Sequence, residues 1–332
     1  ILVESVATAD GGTFSGTIAN SGSISSEAAG IRVARVATGS GGTFNGSVLN
    51  TGKIAVADTG AGIDLFNDAS NSGTFSGTIL NAKSGVLNAG YGIYVKDVGA
   101  TLFSGGITNA GQITAKYDEG IYVYGVAGGP GANGTFQGSI VNSGSIVAHS
   151  SGVYVYQVGY ASFNGNIVNS GKIVSTDSAG FFVSSVANNA GATFTGSIVN
   201  AGSIAAYDTG MYIYNVGDAF VGGITNSGTI SSTAYDGLFI GNVPSLSGSI
   251  VNAATGKITA KTGIDIVHST IAGAIVDSGT IKGKIRGILI DSASEIISTK
   301  TAVVIAGKTL TGGVTNAGVI SGAIGVVVTS AH

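Results

Sequence analysis

The sequence predicts an all-β chain wound as a right-handed parallel β-helix (β-solenoid) of about 11 to 12 three-stranded coils. Three observations carry that prediction. A unit of about 30 residues recurs along the chain, residues within each unit alternate with period two, and no segment shows helical periodicity.

Each unit opens on an apolar residue followed by x-Gly-x and an aliphatic residue. Phe14-Ser15-Gly16-Thr17-Ile18 sets the pattern, which returns from Phe44, Phe75, Phe103, Phe136, Phe163, Phe194 and Phe220. Weaker copies start at Leu246, Ile271 and Leu310, and the wide gap before the last leaves room for a degenerate coil around Ser294 to Ala306. Gly12, Gly42, Gly73 and the glycine-rich run from Gly128 to Gly131 mark one turn of variable length.

The next element follows from the alternation. Phe14, Gly16, Ile18, Asn20, Gly22 and Ile24 occupy every second position, which turns them inward on a strand. After a short turn comes a second pattern, Gly30-Ile31-Arg32-Val33, which returns as Gly92-Ile93-Tyr94-Val95, Gly120-Ile121-Tyr122-Val123, Gly152-Val153-Tyr154-Val155 and Gly210-Met211-Tyr212-Ile213. Each unit thus holds three short strands and three turns. Pairing every strand with its counterpart one unit later gives parallel sheets, and at about 4.8 Å per rung the rod is roughly 55 Å long. The right hand is a general expectation for such coils and is not encoded in the pattern. Residues 1–332 are expected to form one continuous β-helix without subdomains, a fragment of a longer rod.

Composition narrows the function. The chain has 57 Gly and 44% hydrophobic residues but only 9% charged ones, so its surface is rich in hydroxyl and amide groups. A net charge of -3, with arginine only at Arg32, Arg35 and Arg286, offers no basic patch for nucleic acid. The absence of Cys removes disulfides and thiolate metal sites. No apolar run approaches the roughly 20 residues of a membrane-spanning helix. Because the chain begins with Ile1, it is expected to be a mature or excised piece.

The runs Asn142-Ser143-Gly144-Ser145-Ile146, Asn169-Ser170-Gly171-Lys172-Ile173 and Asn226-Ser227-Gly228-Thr229-Ile230 resemble the repeats in passenger domains of bacterial autotransporters and related β-helical adhesins. The resemblance covers nearly the whole chain. It implies a secreted or cell-surface protein at the bacterial outer membrane, attached only through parts absent from this chain. Neither a signal segment nor a membrane β-barrel is present in the sequence to support the export route directly.

Several columns of equivalent residues follow from the repeat. Asn20, Asn50, Asn81, Asn109, Asn142, Asn169, Asn200, Asn226, Asn252 and Asn316 share one inward position, with Asp277 in the degenerate copy. A buried amide ladder at a corner satisfies groups that would otherwise each cost about 1 to 3 kcal/mol. The Phe column fills the core. Asp58, Asp118, Asp177, Asp208 and Asp236 precede the Gly of the second pattern, where Asp closes Asx-turns; the competing reading is a calcium stripe.

The most informative column faces outward. Tyr94, Tyr122, Tyr154, Phe182, Tyr212 and Phe239 are equivalent in six successive coils, beside a second column of Phe66, Tyr124, Tyr156 and Tyr214. Stacked aromatics suit strands without any ligand. They also form an apolar patch larger than the roughly 300 to 600 Å² usual on a monomer, and so suit recognition of glycans, of other proteins or of further copies of the rod. On the first strand, Thr13, Ser15, Thr17, Thr43, Asn45 and Ser47 form a hydroxyl array that could bind ice, but Gln137, Asn164, Asn166 and Val221 interrupt it.

Because β-helices also carry polysaccharide lyases and hydrolases, catalysis has to be judged from residues. Asp64 and Asp97 lie close in repeat phase, and Asp265 lies near Lys261, yet none has an Arg in its own coil. His149 and His268 stand alone and His332 is terminal; no nucleophile, metalloprotease or phosphate-binding motif occurs. The expectation is a non-enzymatic rod without cofactor or bound metal, mediating adhesion or self-association through its aromatic ladder. A carbohydrate-active enzyme and an end-to-end filament subunit are the alternatives. The last is raised by both ends stopping within a coil, Ile1 to Val6 and Gly325 to Val328 each matching the second pattern.

Overall fold

The computed structural model describes residues 1–57, 59–128, 133–306 and 309–329. Asp58, the Gly129 to Gly131 part of the variable turn, and His332 lie outside them. The described residues are all β, without helix, in parallel strands stacked as a solenoid.

One coil shows how the sequence builds the rest. Thr135–Phe136, Ile140–Asn142, Ser145–Ala148 and Val153–Tyr156 are its strands. The three expected strands are therefore four segments on three sheets. The last two segments belong to one 21-stranded sheet, and further along the rod they fuse into single strands, Lys257–Val267 and Thr280–Ile290. The Ile140–Asn142 position forms a 12-stranded sheet, which corresponds to eleven turns between its first and last strands.

Period two places alternate side chains in the core, and the strand Ile121–Tyr124 reads buried, half-buried, buried, half-buried. Phe14, Phe44, Phe75, Phe103, Phe136, Phe163, Phe194 and Phe220 pack at one corner, stacked except where Phe163 meets Phe194 edge-on at 64°. Their centroids lie from 4.9 Å apart for Phe14 and Phe44 to 4.4 Å for Phe194 and Phe220. The Gly two residues after each Phe is steric, since a Cβ on Gly138 would run into the carbonyl oxygen of Gly105 on the preceding rung. After the outer strand the chain turns sharply, with Arg35, Asn67, Asp97, Gln157, Asn215 and His268 all at φ between 47° and 59°.

The amide ladder is continuous from Asn20. Nδ2 of each Asn donates to Oδ1 of the next at 2.7 to 2.9 Å, as from Asn142 to Asn169 at 2.7 Å and from Asn50 to Asn81 at 2.9 Å. It also donates to the backbone, as from Asn142 to the carbonyls of Gly144 and Lys172.

Asn316 is not part of it. The rung after Asn252 is Asp277, followed by Ile305 and Val328, whereas Asn316 is exposed and pairs with Ile290 on the long sheet. Leu310 likewise leaves the Phe column, where Ile271, Ile296 and Ile320 follow one another. The degenerate coil around Ser294 to Ala306 is real and takes the rung that Leu310 was expected to fill. Placing Ile296 there keeps the coil short and its rung paired, whereas the copy from Leu310 to Asn316 carries the motif in full, with Gly312, Val314 and Asn316 at its fixed positions, yet lies on the long sheet. Gly325 to Val328 correspondingly lies on the asparagine sheet, whereas Leu2 and Val3 do pair with Arg32 and Val33 of the second pattern.

Candidate binding face

The outer face of the long sheet carries the aromatic ladder in the expected register. Tyr94, Tyr122, Tyr154, Phe182, Tyr212 and Phe239 are direct partners rung by rung. Parallel in-register strands repeat at the thickness of a ring, so identical side chains in one rotamer stack. Successive centroids are 4.8, 5.1, 4.7, 5.0 and 4.9 Å apart, with interplanar angles of 9° or less. The rings therefore cover one another's faces, and the strip presents edges and phenolic hydroxyls outward. Burial pushes Tyr94 and Tyr154 up to about 12 and raises Tyr122 further, so these hydroxyls stay neutral.

The second column is mixed. Phe66, Lys96, Tyr124, Tyr156, Ser184 and Tyr214 follow one another. Lys96 Nζ lies 5.7 Å from the Phe66 centroid and 5.5 Å from that of Tyr124, a cation held between two rings.

The most exposed aromatics are ones that sequence periodicity passes over. Tyr117, Tyr207 and Tyr235 are 50%, 50% and 56% exposed, and Tyr235 lies beside Tyr212 and Phe239 of the ladder. Their signal is a repeated Tyr-Asp pair in the turn before the second pattern. Tyr91 sits edge-on to Tyr94 and Tyr122, at 5.1 and 5.7 Å. All twelve tyrosines fall between positions 91 and 235.

Each end of the ladder changes character. Before Tyr94 come Arg32 and then Asp64 on the same column, and after Phe239 comes Asp265. Arg32 Nη1 lies 3.5 Å from Asp64 Oδ2, joining an acid to an Arg of the neighbouring coil. Asp64 is 8% exposed, and burial raises its pKa against the opposing pull of Arg32. A cavity of about 350 Å³ opens here between Arg32, Asp64, Phe66, Tyr91 and Tyr94. At the far end a cavity of about 300 Å³ is lined by Asp208, Tyr212, Tyr235, Asp236 and Phe239. Burial first, then the charges of Asp265 and Asp208, push Asp236 up to about 6.

Among the described residues, Asp118, Asp177, Asp208 and Asp236 do not close Asx-turns. Turn amides are taken by serines instead, Ser178 N donating to Ser175 Oγ at 3.1 Å and Tyr235 N to Ser232 Oγ at 3.2 Å. Asp118 lies near the Tyr91 phenol, and Asp208 Oδ1 accepts from Thr209 Oγ1 at 3.2 Å. Among the described residues no three acidic, His or Cys side chains converge as metal ligands, and Asp58 lies outside those residues. His268 is not isolated, for its Nδ1 lies 3.3 Å from Asp291 Oδ2. The hydroxyl array on the first strand bonds partly to itself, as Thr78 Oγ1 does to Ser47 Oγ at 3.1 Å.

No protein family, curated protein or solved structure matches the chain in comparison searches.

Proposed function

We propose that the chain is a rigid, non-catalytic section of an exported bacterial surface protein, mediating adhesion or self-association through its aromatic face. The observation that carries the reading is the strip of six stacked, half-buried rings from Tyr94 to Phe239, flanked by the exposed Tyr235. Half-buried rings fixed by their neighbours lose little rotamer freedom on contact, and a phenol offers an apolar edge with a polar tip. The strip is uncharged along its length, so a second copy of the same strip meets no repulsion and can pair about a two-fold axis. A surface location at the outer membrane rests on the resemblance of the Asn-Ser-Gly-x-Ile runs to autotransporter passenger repeats.

Imaging of single particles of the purified chain, beside a variant with Tyr122, Tyr154 and Tyr212 changed to Ser, tests the role of the face. Side-by-side pairs present in the parent and absent in the variant are expected. Single rods in both preparations overturn self-association and leave adhesion as the function of the face. Fibres running end to end in both place the contact on the terminal coils and overturn the assignment to the face.

A further inference from the structure

Within the ladder every ring face is covered by the ring on the next rung. At the end of the stack, Tyr94 has Tyr122 on one side and the Asp64 rung on the other, so one of its faces carries no stacked ring. That face borders the cavity of about 350 Å³. The cavity exists because of a change of residue size along a single column. Ala29 and Ala61 occupy the position before the Gly of the second pattern in two coils, and Tyr91 occupies it in the next. The step from Ala to Tyr leaves a floor at Ala61 and raises a wall at Tyr91.

Charge narrows what fits. Arg32 and Asp64 lie side by side on the cavity lining, 3.5 Å apart, and neutralise one another, so neither an anion nor a cation gains from entering. Asp64 Oδ1 has no hydrogen-bond partner among the described residues. The oxygen that a donor in the cavity can meet is Oδ2, the one beside Arg32. Arg32 is half-exposed and supplies donors to a ligand oxygen. A neutral molecule with one apolar face and several hydroxyls meets all three demands, and the volume lies at the lower end of the roughly 300 to 1,000 Å³ of ligand pockets.

We infer that this cavity is a subsite for one neutral sugar ring, with hydroxyls bonded to Asp64 and Arg32 and the apolar ring face against Tyr94, walled by Tyr91. It goes beyond the role of the strip, whose interior rings have no free face to offer a sugar.

The test is titration of the full chain with the methyl glycosides of glucose, galactose and mannose, followed by ligand-observed NMR and calorimetry. At least one should bind, and Asp64→Asn and Tyr91→Ala should each weaken it about tenfold or more, as loss of a charged hydrogen bond or a packing wall does. Asn316→Ala, exposed and outside the aromatic face, should leave the affinity unchanged. Asp64→Asn removes a buried charge and keeps the side-chain shape, so it should fold, and Tyr91→Ala is an independent check. Binding of none of the three glycosides, or binding unaffected by both cavity variants, overturns the subsite. So does binding lost equally in Asn316→Ala. Because the probes are soluble and monovalent, the result is read separately from any association of rods through the strip.

Discussion

Nδ2 of Asn252 donates to Oδ1 of Asp277 at 2.8 Å, and there the amide ladder stops. Asp277 is wholly buried. Its Oδ1 also accepts from Gly279 N at 3.0 Å, while its Oδ2 has no partner among the described residues. Burial raises its pKa against those two hydrogen bonds.

Asp277→Asn is therefore expected to stabilise the rod at neutral pH. The amide still accepts from Asn252 and can donate to the turn as its predecessors do, without a buried charge. The urea midpoint at about pH 7.5 should rise, and a fall would mean that the carboxylate is needed as the terminal acceptor.

Within the ladder the opposite holds. Asn142→Ala removes the bond to Asn169 and leaves the Asn109 amide without its acceptor. The loss should be about 2 to 4 kcal/mol, read as faster hydrogen exchange in the flanking coils and a lower urea midpoint. Asn316→Ala, at an exposed position outside the ladder, should change stability by no more than about 0.5 kcal/mol. Equal effects from the two would restore Asn316 to the ladder.

Stability should fall as pH rises. Asp68 is wholly buried, its Oδ1 accepting from Val36 N at 2.8 Å, and burial pushes its pKa up to about 7. Between the unfolded value near 3.8 and about 7, the folded chain holds a proton that the unfolded chain releases. The contribution is thus fully present below about pH 4 and is lost as pH rises through about 7. Asp236 acts in the same direction up to about 6. Urea midpoints measured from about pH 4 to 7.5 should decline in the parent, and less steeply in Asp68→Asn. A parallel decline in both would place the effect elsewhere.

Where one residue type recurs once per rung, the sequence alone shows the structure. Phe44 to Phe220, Asn20 to Asn252 and Tyr94 to Phe239 are legible because period two fixes the face and the repeat fixes the partner. Asn316 misleads because even a full copy of the motif does not establish which sheet a strand joins; the intervening rung at Ile296 decides that. The cavity wall at Tyr91 and the exposed Tyr235 belong to turns, which have no period to read. Arg32 and Asp64 were findable, since each stands two residues after its glycine, Gly30 and Gly62, at the offset of Tyr94 from Gly92. Searching for an Arg within one coil hid a pair that forms between coils.

Asp277 Oδ1 accepts from both Asn252 and Gly279 and has no hydrogen to give back along the ladder. With Asp277 as the last acceptor, Asn252 must turn its amide hydrogens toward it, and every Asn back to Asn20 is obliged to point the same way. Nine side-chain dipoles then align along the axis and polarise one another. Their positive end meets the one acid in the column. A structure built from near-identical rungs thereby acquires a head and a tail that are electrically distinct, a compass needle threaded through its interior.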